Sequence, residues 1–379
     1  MRADLADLIA RLVAIDSVNP SLVPGGAGEG EIAAFVAGWA RDAGLEVEIL
    51  EETAGRPSVI VRARGNAGPP ARTLLLCGHI DTVNVAGMSD PHVPRVDGDR
   101  LHGRGAYDMK GGVAAALIAC REAAALGLAG DVVVAAVADE EHASLGVQEA
   151  LRAVRADAAV VTEPTELAVA IAHKGFVWAE IEVTGRAAHG SRPHLGVDAI
   201  VKTGPILTAL GELDAALAGR THPLVGRGSV HASLIEGGEE LSSYPGRCVV
   251  GLERRTVPGE TAADVEAELT ALLGRCRAAD PELDAELRMG LVREPFEVAR
   301  DADVVVAVEQ AATESIGEPP TVAGVSYWAD SAFIAAAGVP TVLFGPTGEG
   351  AHALEEWVSL GDSEAVATTL VATARRLCA

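Results

Sequence analysis

Aromatic residues make up only 3% of this 379-residue chain, cysteines number five, and 30 basic residues stand against 54 acidic ones. Each shortage excludes something. A formal charge of −24 argues against nucleic acid or an anionic membrane surface as the main partner. The cysteines, Cys77, Cys120, Cys248, Cys276 and Cys378, are scattered and include no Cys-x-x-Cys. Free thiols in a reducing compartment fit that pattern, not a disulfide framework. No apolar run is long enough to span a bilayer. The opening "MRADLADLIARLVAIDSVNP" has the i, i+3, i+4 spacing of an amphipathic helix ending near Asn19-Pro20, not of a signal peptide. The expected location is cytoplasmic. The glycine-rich "VPGGAGEGE" follows no strand and does not match G-x-G-x-x-G, so it reads as a loop before a helix, not a dinucleotide site.

What is abundant is Ala, Val, Leu and Gly, the texture of a compact α/β protein. The length exceeds what one hydrophobic core usually organises, so two domains are expected. "SVIVRA", "TLLLCGHIDTV", "GDVVVAAVADEE" and "AAVVTEPT" read as buried strands. They alternate with helical segments such as "GGVAAALIACREAAALGL", which predicts a mostly parallel sheet. From about residue 178 the texture changes to strand-helix-strand-strand-helix-strand, the layout of a small α+β (ferredoxin-like) domain. The expected organisation is a catalytic domain over 1–178 and 293–379, with a smaller lid or dimerisation domain inserted over 179–292.

Ligand sites in parallel sheets lie beyond the carboxyl ends of the strands. There this sequence places His79 and Asp81 ("GHIDTV"), Glu140 and Glu141 ("VADEEH"), and Glu163 ("VTEPT"). Asp108 follows in a glycine-rich turn ("GRGAYDMKGG"), and His352 comes far along ("GPTGEGAHALEEW"). A lone histidine near a strand end is usually structural, and a lone acid in a turn is usually solvated. Acids closing one apolar strand after another are costly without cations. Two neutral histidines with the carboxylates of Asp108, Glu141 and Glu163 balance most of the charge of two divalent ions. Imidazole plus carboxylate without thiolate suits Zn2+, with Co2+ or Mn2+ possible. On this reading the row Asp139-Glu140-Glu141 is tolerated because metal compensates it. Cys77, inside an apolar strand, lacks the exposed electropositive setting of a nucleophilic thiolate.

Taken together, "GHIDTV", "GRGAYDMKGG", "ADEE", "TEPT", "GRAAHGSRP" and "FGPTGEGAHALEEWV" resemble the di-zinc metallopeptidase and aminoacylase family. That family includes acetylornithine deacetylase, succinyl-diaminopimelate desuccinylase and carboxypeptidase G-like enzymes. The resemblance implies that Asp108 bridges two metals, with His79 and Glu163 completing one site and Glu141 and His352 the other. It implies that Asp81 orients His79, that Glu140 is the general base for attack of water held between the metals, and that a cis peptide follows Asp108. From the inserted domain it implies His189 as an oxyanion stabiliser reaching the site across a homodimer, and Arg255 as the ligand for the substrate carboxylate. Arg254, on the opposite strand face, is expected to be structural or solvated. The Gly345–Gly350 loop would offer N–H groups to the same carboxylate. Where many dimeric members carry asparagine three residues before a proline, this chain has Ser242, which makes fewer hydrogen bonds and alters the pocket's polar readout. The implied activity is hydrolysis of the amide bond of a small N-acyl amino acid. The alternatives are a carboxypeptidase or dipeptidase of the same family and a non-catalytic metal-binding relative.

Overall fold

The computed structural model describes residues 1–68 and 71–379, and the chain divides into two compact units. The first comprises Met1–Ile171, Val298–Ala323 and Ala329–Ala379; the second comprises Ala172–Glu297 and Gly324–Trp328.

In the first unit the strands Asp131–Val137, Thr73–His79, Ala158–Val161 and Thr341–Leu343 lie side by side and parallel. The strands Ser58–Ala63 and Glu46–Leu50 continue one flank in antiparallel fashion. The four central strands are almost wholly buried, as continuous Val/Leu/Ala runs require of a sheet covered on both faces. The helix Gly111–Ala124 is buried nearly all round, because it lies between the sheet and the helices Arg2–Val13 and Leu360–Leu377. Its second residue must be glycine. A Cβ on Gly112 would stand 2.0 Å from the Thr162 carbonyl oxygen, closer than any side chain can approach.

The register fixes where chemistry can occur. His79 pairs with Val137, and Cys77 and Leu343 both pair with Val161. All four parallel strands therefore end at the same edge of the sheet, and the segments carrying His79, Glu140, Glu141, Glu163 and Gly345 leave from it. The first helix stops at Val13, short of Asn19-Pro20. Instead Ser17–Asn19 runs extended beside Thr82, with Thr82 N–H donating to Ser17 and Asn19 N–H donating to Thr82. Among the described residues no helix is long and apolar enough to cross a membrane.

The second unit is a four-stranded antiparallel sheet in the order Ser229–Gly237, Arg247–Thr256, Gly175–Thr184, Asp284–Arg293. The helices Ala199–Leu217 and Ala262–Ala279 pack against it around Ile181, Val183, Val250, Ile206, Leu210, Val265, Leu269 and Leu272. The strand Gly175–Thr184 alternates buried and more exposed positions along its length, the period-two pattern of a sheet with one covered face. Thr261 and Asp264 close a reciprocal capping box at the start of the second helix. Arg254 is buried and paired with Glu260 and Glu268, a structural role.

Candidate metal centre

His79 ends its strand with the imidazole almost fully buried, and its Nδ1 lies 3.0 Å from the Asp81 carbonyl oxygen. A carbonyl can only accept, so Nδ1 carries a proton, and Nε2 is left to donate to Asp108 or, once its own proton is displaced, to present the lone pair a metal needs. The partner that orients His79 is thus Asp81, but through its main chain; the carboxylate oxygen stands 3.6 Å away. That carboxylate is engaged elsewhere. It accepts the N–H groups of Glu140 (3.2 Å) and Glu141 (3.3 Å) and the Asn19 amide (2.8 Å).

His79 Nε2 faces Asp108 Oδ1 at 3.1 Å and Glu163 Oε1 at 3.8 Å. The other oxygen of the same carboxylate, Asp108 Oδ2, lies 3.3 Å from His352 Nε2, which is also 3.2 Å from Glu141 Oε2. One carboxylate therefore joins two donor sets, each with one imidazole and one further acid. Ligand atoms of His79, Asp108 and Glu141, and of His79, Glu140 and Glu163, converge within 4.8 Å. Glu141 Oε1 is buried without a hydrogen-bond partner. A buried carboxylate with one oxygen unsatisfied and the other 3.2 Å from His352 Nε2 fits a hard or borderline divalent cation.

Several local devices hold these groups. Glu356, fully buried, accepts the N–H groups of Gly105 (3.0 Å), Tyr107 (2.9 Å) and Asp108 (3.1 Å) and an Arg104 guanidinium N–H (2.7 Å). It thereby shapes the turn that carries Asp108, whose bond to Met109 is cis. Asp139 sits at φ 68°, so the chain turns sharply after its strand, and Ala143 and Ser144 N–H groups close onto the Asp139 carbonyl. This geometry corrects the expectation for the row of three acids. Only Glu140 and Glu141 face the candidate ligand cluster; Asp139 is paired with Arg56 at 2.7 Å.

Electrostatics follow the same division. Burial pushes the Glu140 carboxyl well above its usual range, Asp330, Glu163 and Glu141 add to the shift, and His79 opposes it. Burial likewise raises Glu163 and Glu141. Asp108 is held low because hydrogen bonds from His352 and His79 outweigh its burial. Hydrogen bonds to Asp108 and Glu141 lift His352 to about 10. The field that favours a proton on His352 favours a divalent cation more strongly. Cys77 is fully buried and its thiol is pushed well above the ordinary value, which removes it as a nucleophile.

Sequence reasoning missed Asn19, Arg56, Glu356 and Asp330. Asp330 is buried and raises the affinity of both Glu140 and Glu163 for protons. "ALEEW" carried a signal for Glu356, an acid beside an aromatic after His352, but nothing marked its partners. Gly345 plays a different part from the one expected. Its N–H donates to Thr165 Oγ1 at 3.0 Å, so it is not free for a substrate. A Cβ there would meet the Glu163 carbonyl at 2.1 Å, so glycine lets this loop close onto the Glu163 strand end.

His189, Ser242 and Arg255 all belong to the second unit. Two of them are brought together: His189 pairs with Ser243, and Gly190 N–H donates to the Ser242 carbonyl at 2.7 Å. Arg255 lies over the Phe176 ring, 5.4 Å from its centroid, and donates to the Ser326 carbonyl at 2.6 Å.

The ends of the parallel strands carry His79, Glu140, Glu141 and Glu163, and the loops bearing Asp108 and His352 meet them there, a donor set suited to metal-dependent hydrolysis. The chain belongs to peptidase family M20/M25/M40, whose profile matches residues 75–376. It is 31% identical over 342 residues to an acetylornithine deacetylase of Edwardsiella ictaluri, covering 86% of this chain and 85% of that one. Its fold is that of aminopeptidase PepT from Bacillus cereus, with TM-score 0.79, 19% identity and coverage of 100% and 99%. The YXEP protein of Bacillus subtilis, a dinuclear metal-binding peptidase of the M20 family, gives TM-score 0.78 at 15% identity, covering 100% and 98%. The protein is accordingly a hydrolase of amide bonds.

Proposed function

We propose that the protein is a two-zinc amidohydrolase that releases the acyl group from a small N-acyl amino acid. The observation that carries this reading is the double engagement of Asp108, one oxygen toward His79 and the other toward His352. His79, Asp108 and Glu163 would hold one ion, and Asp108, Glu141 and His352 the other; Co2+ or Mn2+ could replace Zn2+. When bound, the ions polarise the scissile carbonyl and make water acidic enough to supply hydroxide near neutral pH.

The remaining chemistry belongs to the chain. Glu140, buried and with raised proton affinity, takes a proton from the attacking water and delivers it to the departing amine. His189 donates to the oxyanion of the substrate, and Arg255 pairs with its carboxylate. Ser242, beside His189, contributes to the polar readout of the pocket. The likeness to acetylornithine deacetylase favours a deacylase; a carboxypeptidase or dipeptidase is the alternative within the same chemistry.

A homodimer through the second unit is part of the proposal. The sheet edge Ser229–Gly237 carries Leu234 and Ile235, 74% and 58% exposed, and the neighbouring helix exposes Ile200 and Val201. An open apolar edge of this kind invites pairing. Five free, buried cysteines support a reducing, cytoplasmic setting.

Free-amine release from N-acetyl, N-succinyl and N-formyl amino acids and from dipeptides, with zinc or cobalt supplied, tests the reading. Hydrolysis confined to acyl amino acids supports it. Turnover of dipeptides alone selects the peptidase, and no turnover by folded, metal-loaded protein overturns both.

A further inference from the structure

Behind the ligands lies a second buried polar cluster, entirely within the first unit. Arg56 grips both oxygens of Glu29 (2.8 and 2.6 Å), reaches Asp139 Oδ1 (2.7 Å) and donates to Ser21 Oγ (2.9 Å). The Asn19 amide is shared between Asp139 Oδ1 (3.0 Å) and Asp81 Oδ2 (2.8 Å). Asp81 in turn receives the N–H groups of Glu140 and Glu141. Glu29, Asn19, Asp81 and Asp139 are fully buried and Arg56 nearly so. A continuous run of hydrogen bonds thus extends from the start of the helix Gly30–Asp42 to the two amides that aim Glu140 and Glu141.

Fold stability does not explain such a cluster. A buried ion pair is usually no better than apolar side chains of the same volume, and here one guanidinium is shared between the carboxylates of Glu29 and Asp139. Position explains it better. His79 and Glu163 follow strands whose register is pinned by sheet pairing on both sides. Glu141 sits in a turn beyond its strand, after a residue at φ 68°, and needs to be held from outside the sheet.

We propose that the Arg56–Asp139–Asn19–Asp81 chain is a positioning device for the Glu140–Glu141 turn. It sets the affinity of the ion at Glu141 and His352 and leaves the ion at His79 and Glu163 little changed. This inference rests on the two-ion reading above. Asn19→Ala cuts the link between Asp81 and Asp139 while leaving the Asp81 carbonyl on His79. Arg56→Lys keeps the charge and loses the two-oxygen grip on Glu29.

The test is calorimetric titration of metal-stripped full-length protein with Zn2+, and with Co2+ while recording its visible absorption, wild type in parallel. For Asn19→Ala the expectation is one ion bound as in wild type and the second weakened by about tenfold, the low end of the effect of removing a direct partner of a metal ligand, because Asn19 acts through Asp81. One component of the cobalt spectrum should change, and kcat should fall more than KM rises. Arg56→Lys should shift the same quantities in the same direction but less. Unchanged affinities in both variants overturn the inference. So does equal weakening of both ions with a lower Tm, which would make the cluster merely structural. A wild type that takes a single ion removes the two-ion reading and this inference with it, whereas a two-ion wild type matched by both variants removes only the inference.

Discussion

Removing the Glu356 carboxylate should damage the metal centre without touching a ligand. Its two oxygens accept three main-chain N–H groups of the Gly105–Asp108 turn and one guanidinium N–H of Arg104. Glu356→Gln preserves shape, but its NH2 group would face N–H donors and the buried ion pair would lose one partner. Breaking a buried pair costs about 3–5 kcal/mol, and each orphaned buried donor about 1–3 kcal/mol. Allowing for relaxation, a loss of roughly 4 kcal/mol is expected, a large fraction of the stability of an ordinary domain. The turn carrying Asp108 should loosen first, so metal affinity should fall even where the protein remains folded. Guanidinium denaturation reads the first effect and zinc titration the second. Arg104→Met is the control. It leaves the three N–H bonds to Glu356 intact, so its metal affinity should be closer to wild type. Wild-type stability and wild-type zinc affinity in Glu356→Gln would refute the reasoning.

Four other outcomes are expected. Glu140→Gln should bind metal and melt as wild type yet lose turnover by at least about a hundredfold, the usual contribution of a positioned proton carrier; near-normal kcat would remove Glu140 from that role. Chelators should abolish activity while thiol reagents leave it intact, since every cysteine is buried; the reverse pattern would point to a cysteine nucleophile. Asp131 should contribute acid-sensitive stability. Burial alone would raise its carboxyl, but bonds from Gly65 N–H and Arg62, with the charge of Arg64, hold it below the usual value. A depressed native pKa stabilises above the ordinary carboxylate range and the gain is lost as pH falls through the depressed value, so Asp131→Asn should flatten the fall in Tm below about pH 4. Replacing Leu234 and Ile235 by charged residues should yield monomers in sedimentation, and unchanged dimers would move the interface elsewhere.

The sheet and the helices around it were legible because the chain repeats a simple pattern: apolar runs of strand length, each ended by a glycine, a histidine or an acid. "SVIVRA" is the strand Ser58–Ala63 in the structure. The Asp108–Met109 cis bond was implied by resemblance, not by spacing. Other features could not be read, because they depend on partners far apart in sequence. Glu356 meets Asp108 across 248 positions, and Asn19 meets Asp139 across 120. The first helix ends at Val13 although apolar periodicity continues past it. Pairing of Ser17–Asn19 with Thr82 takes precedence over that local preference and delivers Asn19 to the site. The row of three acids misled for a related reason. A left-handed Asp139 turns its side chain to Arg56 while the next two face the metal cluster, a separation no linear reading contains.

The central claim is that Asp108 serves two ions at once. Diffraction from zinc-loaded crystals at the zinc absorption edge tests it most directly. Two anomalous peaks about 3.5–4 Å apart, each within bonding distance of a different Asp108 oxygen, are predicted. A single peak, or two peaks with Asp108 bound to only one of them, would contradict it.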